Sequence, residues 1–523
     1  MENQKLSFRE ALHDPEKMSI TWELVPGRGA REESQESVME MAELAAKDSR
    51  IHSITLTDNP SGKPAIMPYP LALEAKNLGV ETLIHFTCKD KNRNQIESEL
   101  HALARSGLRN LLIMTGDYTT EGFAGRPKPV FDLDAVQTLK FINKMNSGFE
   151  VPVFKGSKKL KNTDFLAGAV VSPFKFKEAE LMAQYYKLHK KVENGAQFIV
   201  AQLGFDARKF DELRRYMDLN NLNVPLIGNI FVLSLPVAKL MNKNIIPGCV
   251  VTDWMIEDLE MEKAQGNAKE KHLLRAAKQY AIFKGLKYNG VTIAGHGLSY
   301  EDVQFILDKG EELSLNWMEY VAEFHYPQIG GFYFYKKDDL TGLNTNVPVD
   351  RSKTKNGKTT IMDAMFEMIH HTFFSKGGLF YNLTESLAKK IDSSFLKKPF
   401  TRFEYMTKIV TNDCCFCGDC VMHELSYQCP MSLCAKQQRN GACGGSYEGW
   451  CEVYPGKQKC IYVTMYDKFK AAGKEEDMKE GYIPPVNWDL YRTSSWLNFF
   501  NGRDYNHRKE EEQQKETKVH ATE

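Results

Sequence analysis

The chain has 523 residues, with 68 Lys and Arg against 68 Asp and Glu, 42% apolar residues and 11 cysteines. That length suggests two to four domains with enough chain to bury real cores, and a zero formal charge leaves no electrostatic footprint for nucleic acid or an acidic membrane. The N-terminal MENQKLSFREALHDPEK has no apolar signal-peptide region. The most apolar stretch, Val224 to Leu240, is broken by Asn, Ser, Lys and two Pro, so no membrane insertion is expected and the protein reads as cytoplasmic.

In chain order, short β-branched runs alternate with stretches of helical periodicity. Strands are predicted at Ser19–Pro26, Ile51–Asp58, Glu81–Cys88, Leu108–Thr115, Phe165–Val171, Gln197–Leu203, Val224–Phe231 and Gly290–Gly297. Amphipathic segments such as Glu32–Lys47, Arg93–Ser106, Lys177–Asn194 and Ala264–Lys284 lie between them. Eight such units point to an α/β fold, a (β/α)8 TIM barrel. A doubly wound sheet is the competitor, but no GxGxxG or Walker pattern follows any strand.

The expected organisation is a barrel over 1–320, a partly helical connector over 321–412 packed on it, and a cysteine-rich domain over 413–470. A wrapping aromatic tail over 471–506 and a disordered charged tail over 507–523 complete it. The basic run Arg351–Lys358 marks a loop, and Ile361–Phe374 and Leu383–Lys390 read as helical. His370-His371 read as packing or surface, Cys88 and Cys249 as small buried residues, and the lysines of 155–162 as a solvated loop.

Barrel chemistry sits at the C-terminal ends of the strands. There the sequence delivers Glu23, Thr55, Thr57, Asp58, Asn59, His85, Asp117, Gln202, Asn229 and His296. Glu23 lies between Trp22 and Leu24, which disfavours its charged form and raises its pKa toward a general-acid range. Asp117 follows a glycine among polar neighbours and is expected to stay ionised. Two carboxylates in unlike surroundings can divide proton delivery from charge stabilisation.

Nine of the cysteines crowd between Cys414 and Cys460, which in a reducing compartment points to metal. The spacing is Cys414-x2-Cys417-x2-Cys420-x8-Cys429-Pro, then Cys434-x8-Cys443, Cys451 and Cys460, with Cys415 extra. A CxxCxxC run followed by Cys-Pro is the style of ferredoxin ligation, and eight thiolates match two [4Fe–4S] clusters. Structural zinc in one or both sets is the alternative, and a disulfide knot the remainder.

The segments Thr21-Trp-Glu23, His52-Ser-Ile-Thr55, His85-Phe-Thr-Cys88, Thr115-Gly-Asp117 and Lys191-Val-Glu-Asn-Gly-Ala-Gln-Phe-Ile-Val-Ala-Gln202 resemble the barrel of the methylenetetrahydrofolate reductase family. Residues from about Asp413 to Tyr466, with CPMSLCAKQQRNGACGGS, resemble the C-terminal domain of some members and the iron–sulfur partner subunit of the acetogen-type enzyme. The stretch Val486 to Asp504 looks like its continuation. The resemblance implies a non-covalent flavin and a tetrahydrofolate substrate. It matches Glu23 to the acid that protonates folate N5, Asp117 to the aspartate beside flavin and pterin, and Gln202 to a folate contact. It matches Thr55 and His85 to flavin contacts, and Lys190 and Lys191 to a basic pair near the cofactor phosphate. Gln184 and Lys187 stand where many bacterial members have an acid and an asparagine, so the flavin is FMN or FAD, with FMN favoured.

Leu235 or Pro236 falls where NADH-dependent members place a stacking aromatic. An electron-transfer partner such as ferredoxin is therefore expected, with NAD(P)H as the alternative. The expected reaction interconverts 5,10-methylene- and 5-methyl-tetrahydrofolate. A pterin-dependent methyltransferase barrel with a zinc-held docking module is the other reading, kept open by Asp58-Asn59. A homo-oligomer is compatible with the sequence, but no heptad or interface stripe argues for one.

Overall fold

The computed structural model describes residues 5–352 and 360–510. A short helix α1 (Phe8–His13) precedes strands β1 (Ser19–Leu24), β2 (Ile51–Leu56), β3 (Glu81–Thr87) and β4 (Asn110–Met114). A surface hairpin, β5 (Glu150–Pro152) and β6 (Ser157–Lys159), comes before β7 (Leu166–Val171), β8 (Phe198–Ala201), β9 (Leu226–Val232) and β10 (Gly290–Gly295). Eight of these close into a parallel barrel in the order β1-β10-β9-β8-β7-β4-β3-β2, so the expected fold class is the observed one. The solvated loop read over 155–162 includes the exposed strand β6.

The strands are flanked by α2 (Glu33–Lys47), α3 (Pro68–Leu78), α4 (Arg93–Arg105), α5 (Ala135–Ser147), α6 (Glu178–Glu193) and α7 (Ala207–Leu219). Beyond β9 come α8 (Leu235–Asn242), α9 (Asp253–Gln265) and α10 (Ala268–Gly285), and α11 (Tyr300–Leu313) follows β10. Alternation decides which way each strand residue points. In β1, buried Ile20, Trp22 and Leu24 join the core between strands and helices, while Thr21 and Glu23 alternate with them.

The barrel's lower interior is a separate apolar cluster of Leu83, Leu112, Leu166, Phe198, Val200 and Ile227, closed by Phe8 and Leu12 of α1. Phe8 meets Phe198 edge to face at 5.7 Å. This interior has no spare room: a Cβ on Gly168 would lie 2.2 Å from the Phe198 ring. Phe8 is fully buried, so Phe8→Ala should open the plug and cost about 3–5 kcal/mol. A urea denaturation midpoint, read against wild type, checks this value.

The connector divides in two. Strands β11 (Tyr335–Lys337) and β12 (Asn344–Pro348) are fastened to α7: Arg208 donates to Asn344 and to the Tyr335 carbonyl, and Asn344 donates to Asp211. The second part, α12 (Ile361–Ile369), α13 (Tyr381–Asp392) and α14 (Lys397–Asn412), packs elsewhere. Its small core of Ala388, Phe374, Tyr381 and Phe400 forms with Leu497 and Phe500 of the tail. Helix α14 escapes a sequence reading because Pro399 looks like a breaker, yet Pro is tolerated in a first turn, where its missing N–H is not needed.

The cysteine module contains the single turn α15 (Pro430–Leu433) and helix α16 (Ile461–Ala471), and the tail carries α17 (Ser495–Phe500). Helix α16 packs on α6 of the barrel. The tail crosses back over the barrel: Trp488 donates to Asp132, and Arg93 donates to the Val486 carbonyl. The charged tail from His507 divides as well, since residues 505–510 are helical and 511–523 lie outside the described residues. Most of the basic run Arg351–Lys358 also lies outside them. No described helix is long and apolar enough to cross a membrane.

Candidate active site at the barrel mouth

Glu23 and Thr55 are register partners on β1 and β2, so both reach the mouth side by side. His85, on β3, brings its Nε2 to 3.9 Å from a Glu23 oxygen. Burial pushes the Glu23 carboxyl up to about 7. Burial lowers His85 to about 4, against the field of Asp58. The imidazole is therefore neutral at pH 7, and this contact is not an ion pair that would strip the Glu23 proton.

Asp117 follows β4 and accepts a 2.8 Å hydrogen bond from the Ser61 amide. The buried Cys249 thiol is raised to about 12, by burial first and then by the fields of Asp117 and Glu23. Cys249 is thus a mouth residue, which nothing in its sequence surroundings signals. Gln202 follows β8; its amide bonds to the Val171 carbonyl, and its side chain accepts from the Leu203 amide. Gln202 Nε2 would lie 3.6 Å from a Cβ on Gly248.

Asp58 and Asn59 are spent on the fold. Asp58 accepts from the Thr87 amide and hydroxyl and from Lys91, while Asn59 accepts from the Ala65 amide. Thr55 Oγ1, Thr57 Oγ1, Ser172 Oγ, Gln184 Nε2 and Asn229 Oδ1 are buried without a hydrogen-bond partner. Such orphans are costly inside a protein. Four belong to β2, β7 and β9 or the residues just after them, and Gln184 lies on α6, so the mouth suits a polar ligand with both donors and acceptors.

The mouth is roofed by the cysteine module. Thr115 donates to Gln438 at 2.9 Å, and Lys436 donates to the Gly116 carbonyl at 2.8 Å. Lys187 donates to Gln438 and to the Gly441 carbonyl, and Lys175 to the Ser446 carbonyl. The basic pair is not on an open rim: Lys190 and Lys191 are both buried, and Lys191 Nζ bonds the Val170 carbonyl. Burial lowers Lys190 to about 8 and Lys191 to about 7.

Asp134 holds this roof in place. Its side chain caps α5 through the Val136 and Gln137 amides, and it also accepts from the Arg439 amide and from the Asn440 amide and side chain. Asp134→Ala should remove the cap and orphan the module's donors together, costing about 3 kcal/mol or more. Faster proteolysis around 436–446 than in wild type is the expected readout.

The eight spaced cysteines fall into two groups. Cys414, Cys417, Cys420 and Cys429, with Cys415, line one cavity; Cys434, Cys443, Cys451 and Cys460 line another. All are free thiols. Among the described residues, no three His, Cys, Asp or Glu side chains close on a single-ion site. The second group adjoins the mouth: Cys443 contacts Glu452, which pairs with Lys436.

Comparison with known proteins bears on this arrangement. The family model described as methylenetetrahydrofolate reductase matches residues 8–292. The chain belongs to the methylenetetrahydrofolate reductase family. A second model, described as the methylene-tetrahydrofolate reductase C terminal, matches residues 394–489. In this reductase-family chain the two matches therefore embrace both the mouth and its roof.

A search of curated proteins gives no match. Among solved structures, a Clostridium thermocellum protein that binds two copies of 5-methyl-5,6,7,8-tetrahydrofolic acid is 14% identical, covering 59% of this chain and 99% of its own, with a TM-score of 0.42. The dihydropteroate synthase of Thermus thermophilus is 12% identical, covering 58% and 95%, with a TM-score of 0.31. Tryptophan synthase of M. tuberculosis is 12% identical, covering 59% and 96%, with a TM-score of 0.32. At these scores the likeness carries no argument about function.

Proposed function

We propose that this reductase-family protein is a flavin-dependent oxidoreductase that interconverts 5,10-methylene- and 5-methyl-tetrahydrofolate, fed by electrons through two [4Fe–4S] clusters. The observation that carries the reading is the contact between a proton-holding barrel mouth and a four-cysteine group directly above it. A flavin, when bound, supplies hydride chemistry and joins one-electron carriers to a two-electron reaction.

The protein's own residues supply proton control and positioning. Glu23 holds a proton near neutrality and delivers it to N10, the nitrogen that leaves the methylene carbon as the one-carbon bridge opens, so that the carbon stays on N5. Neutral His85 leaves that proton in place. Asp117 accepts hydrogen bonds from the pterin, and Gln202 contacts the folate. Thr55, His85 and Asp117 would contact a bound flavin, and the unpartnered polar atoms would offer further donors and acceptors to its ring. FMN is favoured over FAD because the Lys436–Ser446 segment already engages Lys187, and Lys190 and Lys191 are buried beside it.

Cys414, Cys417, Cys420 and Cys429 would hold one cluster, and Cys434, Cys443, Cys451 and Cys460 the other. The grouping of the eight spaced cysteines into two cavities supports two four-cysteine clusters, each [4Fe–4S] cubane taking four thiolates. A ferredoxin-like protein is the favoured donor. Asp58 and Asn59, occupied by structural bonds, remove the feature that favoured a methyltransferase.

Anaerobic purification with flavin, iron, sulfide and zinc quantified on one sample tests the proposal. Flavin with about eight irons per chain is the expected result. Zinc without iron overturns the relay, and a folded protein without flavin overturns the reductase chemistry.

A further inference from the structure

The strongest unassigned feature lies away from the mouth. From Ile361 to Asn412, three helices and their links bury only Ala388, Glu404 and Asn412. The exposed side chains include Ile361 at 92%, Leu379 at 82%, Phe395 at 88% and Val410 at 85%. Met362, Met368, Leu383, Leu387, Phe403 and Met406 are exposed with them. Isolated helices of this length are marginal in water, and tertiary packing supplies most helical stability. A layer that turns most of its apolar side chains outward has only its small core with Leu497 and Phe500 for that packing within one chain.

The area is large. At about 150–250 Å2 for a large apolar side chain, the exposed fractions amount to on the order of 1,500 Å2. The largest apolar patch on a typical monomer is about 300–600 Å2, and a stable interface needs about 800 Å2 per partner.

The layer also borders an apolar groove lined by Phe374, Phe403, Trp496 and Phe499, with the stacked pair His370 and His423 at 3.6 Å and Cys420 at its wall. The same chain therefore presents both a groove and projecting side chains to fill one, which is the self-complementarity that a two-fold interface requires. Charge agrees: residues 361–412 carry seven Lys and Arg against five Asp and Glu. That near balance suits a second copy better than a strongly acidic partner or an anionic lipid surface. Asp363 and Lys397 are already paired within the chain, with Lys468 and Asp392, which leaves the layer's apolar side chains as the main surface for a second copy.

We propose that the α12–α14 layer is a homodimer interface, covered by the same layer of a second copy of this chain, with the groove beside Cys420 closed in the process. This assignment stands independently of the proposed reaction.

Sedimentation velocity on the full-length, anaerobically purified protein should find twice the 59.8 kDa chain mass. The double variant Phe395→Glu, Val410→Glu alters two exposed residues and should weaken the dimer at least about 100-fold, because it would bury unpaired charge. Leu219→Glu, on the exposed face of α7, should leave the dimer intact. Hydroxyl-radical footprinting of the unmodified protein reads the same surface without mutation: Met362, Met368 and Met406 should resist oxidation. A monomeric wild type overturns the proposal, whether or not it binds phosphatidylglycerol vesicles. A dimer that survives the double variant, with these methionines oxidised freely, overturns it as well.

Discussion

Replacing Glu23 by glutamine is expected to lower methylenetetrahydrofolate reduction by about 100- to 10,000-fold, the usual contribution of a positioned general acid. Glutamine keeps the shape and removes only the transferable proton. In the wild type, reduction should fall as pH rises through about 7, where the Glu23 carboxyl ionises; the variant's residual rate should lose that limb. Wild-type stability should fall in the same direction. A carboxyl raised to about 7 in the fold favours the folded state fully below its unfolded pKa, and this contribution is lost as pH rises through the folded value. Above pH 7 the loss is about 3 kcal/mol at 1.36 kcal/mol per unit, so Glu23→Gln should be more stable than wild type there and gain nothing below pH 4. Chemical denaturation at the two pH values measures this. A variant with less than a tenfold rate loss and an unchanged pH profile would reject Glu23 as the acid.

The second large effect concerns electron supply. Cys443→Ser should reduce iron from about eight to about four per chain and cut turnover driven by reduced ferredoxin or viologen at least about 100-fold. Oxidation of 5-methyltetrahydrofolate by a quinone dye that takes electrons directly at the mouth should continue. Cys417→Ser, in the other group, should produce the same split without touching the group that adjoins the mouth. Equal loss of both activities in both variants, with flavin retained, would exclude a relay.

The barrel was legible because its information is local: alternation in β1 and β2, and helical periodicity between them, survive in any short window. The mouth residues Glu23, His85 and Asp117 were legible for the same reason, since they close predicted strands. The roof was not. Asp134 reads as an ordinary helix cap, and its bonds to Arg439 and Asn440 span about three hundred residues. Lys190 and Lys191 read, by resemblance, as a basic pair near the cofactor phosphate, and only the tertiary structure shows them buried. His370 read as packing or surface, and its stack on His423 depends on a partner in another domain. Helix α14 was hidden by Pro399, a residue whose meaning depends on where the helix begins.

The span between Asp134 and Asn440 is 306 residues, and that distance has a consequence for biosynthesis. The barrel itself is complete only once β10 ends at Gly295, and at about 5–20 residues per second on the ribosome the roughly 145 residues from there to Asn440 take roughly 7 to 30 s. Throughout that interval the mouth lies open to the cell's small molecules. Order of synthesis thus gives a tightly held ligand of the mouth its chance to settle before the module arrives above it.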